Sequence, residues 1–336
     1  MSKTVIRITY TLALALAFLV VFGIGMLLDS KTYFYEASTT VFEQTATEVE
    51  PFPVGVNQWT KTIVEQPEVG GYFSETLAIV DTPRKSNNWS NRLLAVFSDS
   101  AWYQNLASPV SRSVVIWPGE RHEEIEAHIG SVLGWTNEEE HVFAQLVMST
   151  DPILSEGKFM PGRYVAHREA KPEEVAAMVN ERFNTDILER YTGEVSAQVS
   201  LEDALTIASL IEREASDFEN MREVSGVIWN RLFIDMPLQL DATLQYARGS
   251  RTQEPKWWPV PRPQDKYIDS PFNTYQNEGL PPSPIASPSV EAVIAALNPR
   301  QSDCLFYFHD NKQNYYCSPD YETHVSKLKE VFGRGR

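Results

Sequence analysis

Residues 8–28 form an almost unbroken apolar run, interrupted only by Thr9, Tyr10, Thr11 and small glycines. As a helix rising about 1.5 Å per residue, the run is roughly 30 Å long, which matches the hydrocarbon core of a bilayer. Lys3 and Arg7 precede it and Asp29 follows it. Positive residues stay on the cytoplasmic side, so residues 1–7 are expected to be a cytoplasmic tail and the bulk of the chain to be exported. The alternative is a cleaved signal peptide. The run is longer than a usual signal-peptide core and no clear Ala-x-Ala site follows, which favours a retained single-pass anchor.

Beyond an anchor, a chain of 336 residues leaves room for two modest domains. A hydrophobic content of 43% argues against wholesale disorder. The net charge of −16, with no basic stripe to offset it, repels phosphate backbones and excludes nucleic acid as a partner. The two cysteines, Cys304 and Cys317, are spaced poorly for zinc or a thioredoxin-type motif, and the six histidines are scattered. No metal and no cofactor is expected.

From residue 29 to about residue 109 the pattern is weak: 62–64 and 77–80 read as strands and 91–97 as a short helix. Order returns with a strand-like run at 113–117 and a turn at Pro118-Gly119, followed by helices at about 121–133, 138–148 and 172–183. Residues 156–164 read as a loop. A helix begins after Ser200, which with Asp203 approximates a capping box. A second helix is expected from about Met221 to Leu232. The prolines between Trp257 and Pro288 exclude helix interior and predict long loops. A helix at 290–297, a hairpin at 304–317 and a C-terminal helix at about 320–332 complete the reading.

The segment 205–215 brings carboxylates to an apolar helix face. At 100° per residue, Glu212 and Glu214 lie on opposite flanks of the face formed by Ala204, Ile207, Ala208, Ile211 and Ala215. Periodicity therefore does not choose between them. It does exclude a facing pair about 5 Å apart of the kind retaining glycosidases use. On pattern alone both also read as ordinary boundary glutamates around Arg213.

Four motifs then occur in a fixed order. They are Ala208-Ser209-Leu210-Ile211-Glu212-Arg213-Glu214; Val227-Ile228-Trp229-Asn230-Arg231-Leu232; Met236 to Tyr246, containing Leu238-Gln239-Leu240-Asp241-Ala242-Thr243; and Ser270-Pro271-Phe272-Asn273-Thr274-Tyr275 with Gly279-Leu280-Pro281-Pro282. Together they resemble the endolytic murein transglycosylase family (YceG-like, MltG-type), and Asn298-Pro299 and Tyr307-Phe308 match its later motifs. Upstream the match is weaker. Residues 114–133 are similar to the family's LysM-like unit, and 156–164 to its Glu-Gly loop, with Gly162-Arg163 replacing Asp-Thr. Ser283 and Ala242 also depart from the usual Gly and Pro, and Tyr315 and Cys317 from a late His-x-Phe.

The resemblance implies an α+β chain: a single N-terminal transmembrane helix (8–28), an extracytoplasmic region without an assigned role (29–110), a LysM-like strand–helix unit (111–168) and a mixed α/β catalytic domain with long proline-rich loops (169–336). It implies a lytic transglycosylase at the bacterial cytoplasmic membrane, acting on peptidoglycan glycan strands, with membrane-bound peptidoglycan synthases as candidate partners. Glu214 maps to the catalytic acid/base, with Glu212 as the alternative. Asn230, Gln239, Asp241, Asn273 and Tyr275 are candidates to orient the sugar or Glu214, and each also reads as turn or core stabilisation. Two other functions stay open: a wall-binding scaffold without chemistry, and a lysozyme-like hydrolase.

The hairpin yields a disulfide candidate. A two-residue turn at Asp310-Asn311 pairs His309 with Lys312 and sets Cys304 opposite Cys317 on a non-hydrogen-bonded pair, about 4.5 Å between Cα atoms. That distance lies within disulfide range.

Overall fold

The computed structural model describes residues 50–66, 69–73, 110–149, 151, 153–249 and 256–333. The expected membrane helix at 8–28, the strand at 77–80 and the helix at 91–97 lie outside these. Among the described residues no helix is long and apolar enough to cross a membrane. The chain divides into two compact units. One, Met1–Glu48 with Ser86–Val114 and Val165–Glu169, falls mostly outside the described residues. The other, Val49–Lys85 with Val115–Tyr164 and Ala170–Arg336, carries the elements that bear on the site.

The elements alternate between helices and small sheets. Val56–Asn57 (β1) pairs antiparallel with Thr62–Ile63 (β2). Ser111–Ile116 (β3) pairs with Gly162–His167 (β4), and between them run the helices His122–Leu133 (α1) and Asn137–Met148 (α2). The segment 156–164, expected to be loop throughout, is instead a 3-10 turn at Ser155–Lys158 followed by β4 from Gly162. Gly157 lies where a Cβ would meet Pro284 Cγ at 2.9 Å and Leu205 Cβ at 3.4 Å, so the turn seats directly on the helix that follows below.

Pro172–Phe183 (α3), with proline in its first turn, leads through the short helix Gly193–Ser196 (α4) to Leu201–Glu214 (α5). The start of α5 is set locally: Ser200 Oγ accepts the Asp203 N–H at 3.1 Å, and Glu202 and Asp203 complement the helix dipole. Its middle is set by packing. All eight residues from Ala204 to Ile211 are buried, because α5 packs against the 3-10 turn and three helices, Phe218–Phe233 (α6), Asp241–Arg248 (α7) and Val290–Leu297 (α8). Ile207, Leu210 and Ile211 are fully buried, each worth about 1.5–3 kcal/mol. The single apolar face read from periodicity thus underestimates the enclosure of this helix. Helix α6 begins one turn before the expected Met221, capped by Asp217, whose carboxylate accepts the Asn220 N–H.

Residues 50–66 have a structural task. Phe52, Gly55 and Gln58 donate backbone hydrogen bonds to the carbonyls of Arg190, Leu297 and Gln198, and Phe52 and Val56 enter the main core. Asn298 closes the same seam, its Nδ2 donating to Pro53 O at 2.7 Å.

The last elements are the hairpin Phe306–His309 (β5) and Tyr315–Ser318 (β6), then Tyr321–Phe332 (α9), capped by Asp320. Its register corrects the expectation. His309 pairs with Tyr315 and Tyr307 with Cys317, so the loop is 310–314 rather than two residues. Asp310 makes this loop: its Oδ1 accepts the N–H groups of Lys312 and Asn314 at 2.8 and 2.9 Å. Cys304 and Cys317 are joined by a disulfide with Cα atoms 5.7 Å apart. The bond ties β6 to the chain just before β5, three residues upstream of Cys317's ladder partner, not to a facing residue.

Candidate active site

Glu212 and Glu214 leave the C-terminal turn of α5 toward different elements, as their angular spacing requires. Glu212 Oε2 accepts both the N–H and the Oγ–H of Ser289, at 3.0 and 2.6 Å. Ser289 is the N-cap of α8 and accepts the Ala292 N–H at 3.1 Å. Glu212 therefore joins the end of one core helix to the start of another. Burial pushes its carboxyl up to about 7, against the two Ser289 hydrogen bonds, which favour the charged form.

Glu214 faces a different set of groups. Tyr307, on β5, donates its hydroxyl to Glu214 Oε2 at 2.9 Å. Burial pushes the Glu214 carboxyl up; the Tyr307 hydrogen bond opposes this, the charge of Asp241 adds to it, and the Ala242 N–H and Arg213 lower it again. The net effect moves Glu214 above the ordinary glutamate range, the direction that suits a general acid.

Asp241 opens α7 and is exposed. Tyr275 donates its hydroxyl to Asp241 Oδ1 at 2.8 Å, and the Glu214 charge acts on Tyr275 as well. The loop that carries Tyr275 is bonded to the start of α7: Leu240 N–H donates to Thr274 Oγ1 at 3.0 Å, and the hydroxyls of Thr243 and Thr274 lie 2.9 Å apart. Two motifs separated by some thirty residues thus form one cradle beside Glu214.

The other sequence candidates act through the backbone. Asn273 is fully buried. Its Nδ2 donates to the Lys266 and Ile268 carbonyls at 3.2 and 2.8 Å, and its Oδ1 accepts the Tyr275 N–H at 3.0 Å. It shapes the loop that delivers Tyr275. Asn230 Nδ2 donates to the carbonyls of Ser302 and Cys304, at 2.9 and 3.0 Å. Gln239 is exposed with a left-handed backbone, φ 51°, and its N–H donates to Thr274 O at 3.0 Å. Cys304 and Cys317 stand in the hairpin that carries Tyr307.

Three residues of the site were not singled out from sequence. Tyr307 and Arg231 stood inside motifs quoted only for their resemblance, and Ser289 stood in none. Arg231 is buried, donates through Nε to Leu305 O at 2.6 Å and through Nη1 to Leu238 O, and its guanidinium lies 5.3 Å from the centre of the Phe306 ring. It joins α6 to both β5 and the strand-like approach to α7, and its charge reaches Glu214, Tyr275 and Tyr307.

A second polar cluster joins the start of α1, the 3-10 turn and α7. Glu156, fully buried, accepts the His122 N–H at 2.6 Å and the Tyr246 hydroxyl at 3.0 Å, with His122 Nδ1 at 2.8 Å. Arg121 clamps Glu123 through Nε and Nη2, at 3.0 and 2.8 Å. His122, Glu123 and Glu156 are close enough to share a cation, but their oxygens are engaged by these protein donors, and the cluster braces α1 against α7. The tryptophan pair belongs to the same bracing. Trp258 donates to Glu124 at 2.9 Å and lies under the Arg213 guanidinium at 3.7 Å, while Trp257 stands 5.5 Å from Arg121.

The fold places two raised carboxyls at the end of one buried helix, and tyrosine hydroxyls donate to one of them, Glu214, and to the nearby Asp241. The chain belongs to the YceG-like family, whose model matches residues 92–330. Two relatives bear the name endolytic murein transglycosylase. The one from Streptococcus pneumoniae is 31% identical over 180 residues, 52% of this chain and 32% of the relative. The one from Bacillus subtilis is 34% identical over 159 residues, 47% of this chain and 42% of the relative. The chain spans less than half the length of either. A crystal structure of a YceG-like protein from Listeria monocytogenes matches with a TM-score of 0.55 at 24% identity, over 64% of this chain and 75% of that one, a likeness of fold.

Proposed function

We propose that this protein is an endolytic lytic transglycosylase that cleaves the bond between N-acetylmuramic acid and N-acetylglucosamine in peptidoglycan, with Glu214 as its acid and base. The observation that carries the reading is the environment of Glu214. It is the carboxyl at the end of a buried helix that burial and Asp241 push up, and which keeps a hydrogen-bond donor, Tyr307, for its ionised form. Protonated Glu214 gives its proton to the glycosidic oxygen as the bond from muramyl C1 breaks. The resulting carboxylate takes the proton of the muramyl C6 hydroxyl, whose oxygen closes on C1 to form the 1,6-anhydro ring. The proton is back on Glu214 at the end of the cycle, no water is consumed, and no second carboxylate is needed to activate one. Asp241 and Tyr275 are assigned to orienting the sugar at this acid.

The names of the relatives support this substrate and reaction for the chain. The apolar run at 8–28 supports a single-pass anchor in the bacterial cytoplasmic membrane with the bulk of the protein outside it, where glycan strands are made; trimming or terminating nascent strands, beside membrane-bound synthases, is the corresponding role. The strand–helix–helix–strand order from β3 to β4 supports a LysM-like unit at 111–168.

The test is mass spectrometry of products from purified glycan strands incubated with the full chain. Anhydro-muramyl ends are expected; reducing ends indicate a hydrolase, and uncut strands that still bind the protein indicate a scaffold. Glu214→Gln is expected to keep the fold and lower turnover by at least about two orders of magnitude, and Glu212→Gln to lower it less. A dead Glu212→Gln beside an active Glu214→Gln reverses the assignment.

A further inference from the structure

Glu214 is surrounded by charged or titratable groups from every element packed on it. Arg213 is on its own helix, Arg231 on α6, Asp241 on α7, Tyr275 on the following loop and Tyr307 on β5. Of these only Tyr307 has its side chain hydrogen-bonded to the carboxyl, through Oε2 at 2.9 Å. The placement of Tyr307 is itself braced. Its ring stacks on Tyr315 across the hairpin, with centroids 6.0 Å apart, and it faces Cys317 in the ladder. Cys317 is bonded to Cys304, whose carbonyl accepts from Asn230, and the next carbonyl, that of Leu305, accepts from Arg231. A disulfide and two α6 side chains thus fix the strand that presents one hydroxyl to one oxygen of Glu214. Burial pushes the Tyr307 hydroxyl well up, so it stays a donor at any working pH.

We propose that Tyr307 is a positioning residue for the reaction: by occupying Oε2 it leaves Oε1 as the oxygen that hands the proton to the glycosidic bond and takes it back from the C6 hydroxyl. The assignment rests on the lytic reading of Glu214. A carboxyl that serves as acid and then as base must offer the same well-aimed oxygen in both steps, and its ionised form between them needs a donor that is not the substrate. Tyr307 supplies the first condition and, together with the Ala242 N–H, the second. The phenol itself neither touches the sugar nor transfers its proton.

The sign of its effect is fixed. A hydrogen bond donated to a carboxylate favours the charged form, so removing it raises the pH at which Glu214 loses its proton. Cleavage requires Glu214 protonated, so activity is present below that pH and lost as pH rises through it. In Tyr307→Phe the basic limb of the kcat/KM profile is expected to move up by about one pH unit, the scale of one hydrogen bond to a charged group. kcat should fall by about tenfold or more, while KM changes little. Replacing Tyr307 with 3-fluorotyrosine, a better donor of the same shape, is expected to move the limb the other way. Tyr316→Phe is the control: its ring stacks on Phe308 and its hydroxyl points at Asp310, and it should leave the limb in place.

The same equilibrium is read without substrate from carboxyl carbon-13 resonances of glutamate-labelled full-length protein, with Glu214→Gln assigning the signal. A Glu214 titration that is unmoved or lowered in Tyr307→Phe overturns the proposal, whatever the activity does. Wild-type protein that yields no anhydro ends refutes the lytic reading instead, and the titration still decides whether Tyr307 governs this carboxyl.

Discussion

Replacing Glu212 with glutamine tests whether the two helix-end carboxylates are divided between structure and chemistry. Burial raises the folded-state value of Glu212 from the ordinary 4.5 to about 7. Below about 4.5 both folded and unfolded chains hold the proton and the group adds no pH dependence. Between 4.5 and about 7 the folded chain keeps a proton that the unfolded chain has released, so stability falls as pH rises; above about 7 the fall ends. At about 1.4 kcal/mol per pH unit, the displacement amounts to about 3 kcal/mol across that window. Glutamine copies the neutral acid: its side-chain oxygen still accepts from the Ser289 N–H and hydroxyl, and it does not ionise. Glu212→Gln should therefore match the wild type near pH 4.5 and exceed it progressively, by up to about 3 kcal/mol, by pH 8. The assay is urea unfolding of the full chain in detergent, followed by tryptophan fluorescence from pH 4.5 to 8. Glu214 shares the sign of the effect, so the difference between the two curves, rather than either curve alone, isolates Glu212. A difference that stays flat, or that grows toward low pH, refutes the argument.

Asn273→Ala leaves the Lys266 and Ile268 carbonyls and the Tyr275 N–H without their partner, and should cost about 1–3 kcal/mol and weaken catalysis through Tyr275; unfolding and kinetics on the same preparation check both. Cys304→Ser with Cys317→Ser should lower stability by at most about 3 kcal/mol, because the closed loop is short. Non-reducing alkylation of wild-type protein from an oxidising compartment should leave both cysteines unmodified. A reporter active only outside the cytoplasm, fused after Arg336, is expected to work while the protein stays in the membrane fraction with Met1 intact; a soluble form beginning near residue 30 would replace the anchor with a signal peptide.

Helices α1, α2, α3, α5 and α8 are legible in the amino-acid order because their signals are local: Ser200 three residues before Asp203, Pro172 in a first turn, apolar residues at helical spacing. Helix α7 escapes such reading: its N-cap is Leu240, which offers no side-chain cap, whereas the equally short α8 opens on Ser289. Local spacing also settled that Glu212 and Glu214 diverge, for that follows from 100° per residue. Which of them does which task did not follow. Ser289 is 77 residues from Glu212, and Tyr307 is 93 from Glu214; both meetings exist only once α8 and β5 have packed on α5. The hairpin shows the same division. Its two strands and cysteines are visible in sequence, but its register depends on Asp310 collecting two N–H groups into a five-residue loop. That choice is made by hydrogen bonds between residues whose types alone fit a two-residue turn equally well. Periodicity and caps act within a turn or two of chain, and so the residues themselves determined where the helices lie. The environment of each carboxyl depends on burial and on partners distant in sequence, and only the tertiary structure decided that Glu212 meets Ser289 and Glu214 meets Tyr307.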